Sequence, residues 1–195
     1  MIKIFIDKQK LERTCLDELT KLGNLFETVG IDYCVFGEHA LLAHGIKTRN
    51  VSKSIVFSID SKKEKMLEIL FKMNYTIHCL KPNVIKVRKN TSCGDIEIKI
   101  VLGNMNSKKY EVNYKEKDLV FGKKIFSGER LEVWGYFGKG KSGKGYFRVA
   151  PLEEIYFSKM NSDDKRDIND LEIIKGSGKI DLDRLFKIFK KNGLV

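Results

Sequence analysis

Residues 36–60 read FGEHALLAHGIKTRNVSKSIVFSID, and this stretch decides the fold. The apolar run Tyr33–Phe36, which leads into the Gly37-Glu38 pair, predicts a buried strand. Residues 40–44 predict a short helix that Gly45 ends, and the β-branched and aromatic residues 55–59 predict a second strand. A strand, a glycine turn, a short helix and a second strand therefore follow one another in a single segment.

This order resembles the active-site segment of minimal nucleotidyltransferases and their AbiEii-like relatives. In that family a strand ends in Gly-Gly or Gly-Ser, a short helix follows, and Gly, Arg and Thr precede an Asp-x-Asp strand. Gly37, Glu38, Gly45 and Arg49 take the corresponding places in this chain. The resemblance implies a nucleotide-binding cleft to which Gly37, Glu38 and Arg49 contribute.

The metal-binding Asp-x-Asp pair of that family is missing. Lys53, Ser54, Ile55 and Val56 stand where the resemblance requires it. Phosphoryl transfer with two metal ions needs clustered carboxylates to hold Mg²⁺ on the triphosphate. Asp60 belongs to the other end of the strand, roughly 13–20 Å away at ~3.3 Å per residue. We expect Ser54 and Val56, or whichever neighbours occupy the two positions, to line the cleft and the transfer chemistry to be lost.

Lysine dominates the charge of the chain. Lys and Arg total 37 against 26 Asp and Glu, the formal net charge is +11, and thirty of the basic residues are Lys. This excess favours a polyanionic partner, a nucleotide, RNA or DNA, contacted through phosphate more than through base edges. The same composition also fits an AT-rich genome or a hot habitat, which leaves that alternative open.

Other partner classes receive less support. No apolar run approaches the ~20 residues of a membrane span, and the N-terminus has no signal-peptide pattern, so we expect no membrane contact and a cytoplasmic protein. Cys15, Cys34, Cys79 and Cys93 are dispersed without zinc-ligand spacing, and the three histidines are equally isolated. We therefore predict no resident metal, with Mg²⁺ expected only if the protein is an active transferase.

The middle of the chain predicts helices and then strands. An amphipathic pattern predicts a helix over residues 8–29, and Ser61 with Glu64 forms a capping-box pattern before a helix over about 62–73. Strands are predicted over 76–80, 84–88 and 95–102. Together these elements predict an α/β (α+β) fold, a nucleotidyltransferase-like mixed sheet flanked by helices.

Asp95 and Glu97 share one face of the last of these strands. The resemblance places the third carboxylate of the family on a neighbouring strand at about this point. These two residues are the catalytic candidates if activity is retained. An exposed polar face balanced by Lys99 is an equally good interpretation.

Residues 131–150 predict a hairpin with a basic tip. Gly135, Gly140, Lys141 and Ser142 match a phosphate-loop pattern, but the following glycines do not allow the helix that such a loop requires. We expect the hairpin to contact nucleic acid through basic and aromatic side chains, with a purely solvated loop as the alternative. The candidates are Lys139, Lys141, Lys144, Arg148, Tyr136 and Tyr146.

The last third of the chain predicts helices over Leu152–Met160, residues 164–174 and Leu182–Lys191. Lys159 and the sequence Arg166-Asp167-x-x-Asp170 match a second segment of AbiEii-like proteins. The resemblance implies that Lys159 reaches the nucleotide phosphates. It also implies that Asp167 and Asp170 anchor the helix pair or assist at the site.

These observations predict two parts, an α/β core over 1–150 and a helical module over 151–195. Three functions stay open at this point. One is a catalytically degenerate nucleotidyltransferase-fold protein that binds a nucleotide or RNA, within a toxin–antitoxin or mobile-element system and with an unknown protein partner. The others are an active metal-dependent transferase acting on tRNA or a protein hydroxyl, and a non-enzymatic nucleic-acid-binding protein.

Overall fold

The computed structural model describes the backbone of residues 2–46, 53–106, 109–126, 130–137 and 141–195, and side chains within 11–46, 53–106, 109–122, 124–126 and 147–195. The helices are α1 (Ile2–Thr28), α2 (Glu38–Ala43), α3 (Lys63–Lys72), α4 (Leu152–Met160), α5 (Lys165–Gly176) and α6 (Leu182–Lys191). The strands are β1 (Tyr33–Phe36), β2 (Lys53–Ile59), β3 (Thr76–Lys81), β4 (Val84–Thr91), β5 (Gly94–Met105), β6 (Lys109–Tyr114), β7 (Lys117–Gly122), β8 (Arg130–Phe137) and β9 (Lys141–Arg148).

The main sheet is mixed. Its strand order is β1-β2-β5-β4-β3, and β6 pairs with the end of β5 and with β7. Only the β2 and β5 pair is parallel among these strands, because the chain crosses from β2 through α3 and the β3–β4 hairpin before it enters β5. The strands β8 and β9 form a separate antiparallel hairpin.

Helix α1 covers one face of the sheet. Its apolar stripe includes Cys15, Leu19, Leu22 and Phe26, each at most 1 % exposed. The spacing of three or four residues places these side chains on one side of the helix, which must be buried to contribute stability. This helix contacts β5, β2 and the β8–β9 hairpin, so one face of the sheet is closed by apolar packing.

The opposite face is covered over only part of its area. Phe57 of β2 stacks on Phe36 at 4.0 Å between ring centroids and meets Tyr114 at 5.2 Å. Phe121 of β7 continues this aromatic layer to Phe157 of α4 at 6.1 Å. The layer ends before the start of β2, where Lys53 is exposed and Ile55, Glu97 and Lys99 are only half-buried; this open part of the face is here called the cleft.

The predicted mixed α/β fold is confirmed, and most element boundaries differ by only a few residues. The capping box at Ser61 is an exception. Residues Asp60–Lys62 form a 3₁₀ turn, and α3 follows with Lys62 at its N-cap and no side-chain capping hydrogen bond. Ser61 is part of the 3₁₀ turn and precedes the N-cap residue Lys62, so its hydroxyl does not cap α3.

Within the described residues, none of the helices combines the length and the apolar character that a membrane crossing needs.

Candidate functional site in the open cleft

The Gly37-Glu38 turn forms one wall of the cleft. Gly37 has φ 72° and ψ −148°, a backbone conformation that side-chain-bearing residues rarely adopt. A Cβ at this position would lie 3.4 Å from Cδ1 of Ile55, so the turn runs close to the start of β2. Glu38 is the first residue of α2, and its carboxylate points towards Lys159 at 3.8 Å.

Strand β2 presents Lys53 and Ile55 to the cleft, and this corrects the expected orientation of Ser54 and Val56. Ser54 is 2 % exposed, and its Oγ lies 2.9 Å from Nδ1 of His39 and 3.1 Å from Sγ of Cys15 on α1. Val56 is 1 % exposed on the same covered face. Successive strand residues point to opposite faces. Ser54 and Val56 therefore lie on the face that α1 covers, and Lys53 and Ile55 lie on the cleft face.

Asp95 and Glu97 stand on β5 at the open end of this face. Glu97 is the register partner of Lys53 in the parallel pair, which puts it beside the expected dyad position. Its carboxylate lies 3.6 Å from Nζ of Lys53 and 3.8 Å from both Nη2 of Arg88 and Nε2 of His78. Asp95 is more exposed and lies 3.9 Å from Nη1 of Arg88. Among the described side chains, Lys53, Arg88 and His78, rather than further carboxylates, lie next to this pair.

Lys159 occupies the centre of a buried cluster with Glu38, Asp167 and Asp170, here called the carboxylate cluster. Its Nζ donates to Oδ1 of Asp167 and to Oδ2 of Asp170, each at 2.7 Å, and only 5 % of the lysine side chain is exposed. Burial opposes the charge of Lys159, but hydrogen bonds to the two aspartates outweigh it and raise the lysine pKa. These two hydrogen bonds join α4 to α5. A phosphate contact would require one of these pairs to open.

A strained turn adds a second lysine to the carboxylate cluster. Lys115 and Glu116 connect β6 and β7 with φ of 53° and 64°, a type I′ geometry that normally favours asparagine or glycine. Lys115 donates through Nζ to Oδ2 of Asp167 and, at 2.8 Å, to Oγ of Ser162. Although burial raises the pKa of Asp167, its hydrogen bonds with Lys115 and Lys159 lower it overall.

The three carboxylates of the carboxylate cluster are candidate ligands for a metal ion. Glu38, Asp167 and Asp170 each offer an oxygen, and these oxygens lie within 4.8 Å of one another. The Lys159 ammonium already contacts all three carboxylates, so a divalent cation would have to displace a buried, hydrogen-bonded charge. At the dyad position Lys53 and Ile55 carry no oxygen ligand. The described residues at the start of β2 therefore do not fit a resident Mg²⁺.

A lysine pair that the sequence interpretation did not assign lies on the same open face. Lys99 of β5 and Lys86 of β4 are direct register partners, and both are half-buried. Alternation from Glu97 places Lys99 on the cleft face, but its pairing with Lys86 depends on strand register, which no local pattern specifies. Burial lowers the pKa of Lys99, and the charges of Lys86 and Lys115 lower it further.

Strands β8 and β9 form the predicted hairpin. Lys141–Arg148 is a strand, whereas a phosphate loop would require a helix there. Arg148 turns inward, with Nε 3.1 Å from Oε1 of Glu27 and Nη1 2.9 Å from the Phe126 carbonyl oxygen. The Arg148 side chain is still 35 % exposed, and its contact with nucleic acid stays a prediction. Arg49 and Lys139 lie outside the described residues, as do the side chains of Tyr136, Lys141, Lys144 and Tyr146.

Comparison with known proteins identifies the fold. No protein-family model and no curated protein sequence matches the chain. The lincomycin-bound crystal structure of the lincosamide antibiotic adenylyltransferase LnuA is similar, with a TM-score of 0.56, 17 % identity and coverage of 82 % of this chain and 95 % of that one.

Two structures of the antibiotic-resistance factor ANT(2'')-Ia are also similar. Its solution structure has a TM-score of 0.56 at 9 % identity and covers 90 % of this chain and 89 % of that one. Its crystal structure with adenylyl-2''-tobramycin has a TM-score of 0.53 at 10 % identity and covers 90 % and 94 %. The chain has the mixed α/β fold of these antibiotic nucleotidyltransferases.

Proposed function

We propose that this protein binds a nucleotide in the open cleft and does not transfer it. The observation that carries the proposal is the pair of cleft-facing side chains on β2, Lys53 and Ile55, at the position where the family resemblance requires carboxylates. A lysine beside Glu97 forms an ion pair instead of a metal site. The fold and the cationic surface support retention of nucleotide binding, because phosphate groups are attracted to lysine clusters.

Gly37 and Glu38 belong to the proposed nucleotide site as the wall of the cleft. Arg49 is included in the proposal on the family resemblance alone, because it lies outside the described residues. Lys159 and Asp167 take part through the carboxylate cluster, which holds α4 and α5 beside the cleft. Ser54 supports the site from the covered face of β2 through its contact with His39. The proposed ligand is a free nucleotide or the end of an RNA strand. The proposal extends to an AbiEii-like role with a protein partner in a toxin–antitoxin or mobile-element system.

The test separates binding from transfer. Purified protein is incubated with labelled ATP or GTP, Mg²⁺ or Mn²⁺, and either tRNA, a lincosamide or an aminoglycoside as acceptor. We expect no incorporation into any acceptor or into the protein itself, while equilibrium dialysis of the same labelled nucleotide shows binding. Incorporation that is abolished by Glu97→Gln or Asp95→Ala, but kept by Lys72→Gln at an exposed helix end, contradicts the proposal.

An active metal-dependent transferase is the second candidate, and the carboxylate cluster is the observation that favours it. If a bound nucleotide drew Lys159 towards its phosphates, Glu38, Asp167 and Asp170 would be released as oxygen ligands. Activity of this kind requires Asp170 and Mn²⁺ together, so Asp170→Asn removes it. Transfer that persists in Asp170→Asn rejects this route.

A non-enzymatic nucleic-acid-binding protein is the third candidate, favoured by the net charge of +11. Binding through about five phosphates gives a slope of log affinity against log salt of roughly −4 to −5 on duplex DNA. Replacing Lys139, Lys141 and Lys144 by Ser is expected to reduce that slope by up to ~3 in filter binding. A slope unchanged by the triple substitution rejects the hairpin as the contact surface.

A further inference from the structure

The open face of the sheet carries two successive cross-strand rows of side chains with different charge balance. In the outer row, Lys53, Glu97 and Arg88 are register partners across β2, β5 and β4. Glu97 lies within 3.8 Å of the cationic groups of both neighbours, so the positive charges of this row share a carboxylate. The positive charges of the outer row are therefore paired with a carboxylate of the protein itself, without any ligand.

The inner row lacks such a partner. Ile55, Lys99 and Lys86 are register partners on the same three strands. Within the side chains that the structure describes, no carboxylate lies within ion-pairing distance of Lys86 or Lys99. Nζ of Lys99 instead lies 5.1 Å from the centroid of the Tyr114 ring. Like charges directly opposite each other on a sheet are destabilising, so we expect this row to weaken the folded protein unless an anion is bound.

A further positive charge lies beside the inner row. Nζ of Lys115 lies 5.6 Å from the centroid of the same Tyr114 ring, on the side that leads to the carboxylate cluster. Ile55, the third member of the inner row, is the register partner of Phe36, the residue before the Gly37 turn. Two unbalanced ammonium groups therefore lie on the cleft floor next to the turn that forms its wall.

We propose that Lys86 and Lys99 bind the polyphosphate chain of a nucleotide directly, without a bridging divalent cation. This inference rests on the proposed nucleotide binding and names the part of the nucleotide that these residues hold. Each ammonium group has three N–H donors and no acceptor capacity, which suits non-bridging phosphate oxygens. The lysines supply at the cleft floor the positive charge that a carboxylate-bound metal ion supplies in two-metal phosphoryl transfer.

The experiment measures nucleotide affinity by isothermal titration calorimetry in EDTA and, separately, in Mg²⁺. Wild-type protein, Lys99→Gln, Lys86→Gln and the exposed control Lys72→Gln are titrated with ATP and with inorganic tripolyphosphate. We expect wild-type protein to bind ATP as tightly in EDTA as in Mg²⁺. Each of the two cleft substitutions is expected to weaken ATP and tripolyphosphate binding about tenfold, and the control to change neither.

Thermal denaturation distinguishes a binding role from a structural one. Without ligand, Lys99→Gln is expected to melt at the same temperature as wild type or higher, because one like-charge contact is removed. Its melting temperature is expected to respond less to added tripolyphosphate than that of wild type. A variant that melts lower but keeps its full response to tripolyphosphate contradicts the proposal.

The remaining outcomes separate this inference from the proposed function. ATP binding that requires Mg²⁺, or that is unchanged in both cleft variants, overturns the lysine site and leaves nucleotide binding intact. Lysine-dependent tripolyphosphate binding without any ATP binding overturns the nucleotide proposal and supports the polyphosphate site. Absence of binding to both ligands in wild-type protein overturns both.

Discussion

Lysines serve opposite purposes in two neighbouring regions of this cleft. In the carboxylate cluster Lys159 is buried and donates to Asp167 and Asp170, so its charge is neutralised within the protein. In the inner row Lys86 and Lys99 are half-buried and face each other. The first arrangement holds helices together, whereas the second leaves positive potential available to a ligand. The difference indicates that the surroundings of a lysine, rather than the residue type, decide whether its charge is neutralised within the fold or stays available to the proposed ligand.

The largest expected effect tests the carboxylate cluster. Lys159→Met keeps the length of the side chain but removes the ammonium group that contacts Glu38, Asp167 and Asp170. Breaking a buried ion pair costs about 3–5 kcal/mol, so the free energy of unfolding in urea is expected to fall by that amount. The exposed helical control Lys175→Met is expected to change it by less than about 0.5 kcal/mol. Equal effects of the two substitutions contradict the assigned role of Lys159.

The next effect tests the missing dyad. Lys53→Asp combined with Ile55→Asp places two carboxylates on the cleft face beside Glu97, the arrangement that a divalent cation requires. At a Mn²⁺ concentration of 100 times the dissociation constant, bound metal is expected to stabilise the variant by about 2.7 kcal/mol. The control Ser54→Asp with Val56→Asp points its carboxylates to the covered face and is expected to destabilise without gaining a Mn²⁺ response. Stabilisation of wild-type protein by Mn²⁺ to the same extent would show that the dyad is unnecessary.

The third prediction concerns acid pH and the carboxylate cluster. Burial raises the pKa of Asp167, but hydrogen bonds from Lys115 and Lys159 lower it below the ordinary 3.8. A carboxyl group whose folded pKa is depressed contributes stability above its unfolded pKa and loses it as the pH falls through the folded pKa. Urea unfolding between pH 5 and pH 2 is therefore expected to show that the free energy of unfolding falls more steeply in wild type than in Asp167→Asn. Parallel curves for the two proteins would show that Asp167 does not drive the loss.

The smallest expected effect concerns alkaline pH and the inner row. Burial lowers the folded pKa of Lys99 below its ordinary 10.5, and charges on Lys86, Lys115 and Lys81 lower it further, while Cys79 opposes them. The charged form is disfavoured in the folded state, so stability is lower below the folded pKa and increases as the pH rises from there towards 10.5.

Lys99→Gln is expected to raise the free energy of unfolding by about 0.2–1 kcal/mol at neutral pH and low salt. The variant is also expected to lose the alkaline increase that Lys99 causes. Chemical denaturation at several pH values measures both, and a variant less stable than wild type at neutral pH would show that Lys99 does not repel its neighbours.

Local sequence patterns predicted most of the elements. The apolar run at β1, Pro151 before α4 and Asp181 before α6 each act within a few residues of the element that they start, and all three boundaries agree with the structure. The capping box at Ser61 was wrong, because the 3₁₀ turn at Asp60–Lys62 precedes α3. Capping depends on where the chain leaves the strand, which a four-residue pattern does not record.

By itself, the sequence determined that carboxylates are absent from the start of β2, since none of Lys53, Ser54, Ile55 and Val56 is acidic. Only the tertiary structure decided which of these side chains face the cleft. A lysine beside a serine and an isoleucine beside a valine give no clear alternation, and a shift of one residue reverses every side chain of a strand. Contact of Ser54 with α1 selects the orientation, and the cross-strand register of Lys99 with Lys86 creates the unbalanced pair. Both depend on contacts between residues far apart in the chain, which local patterns cannot specify.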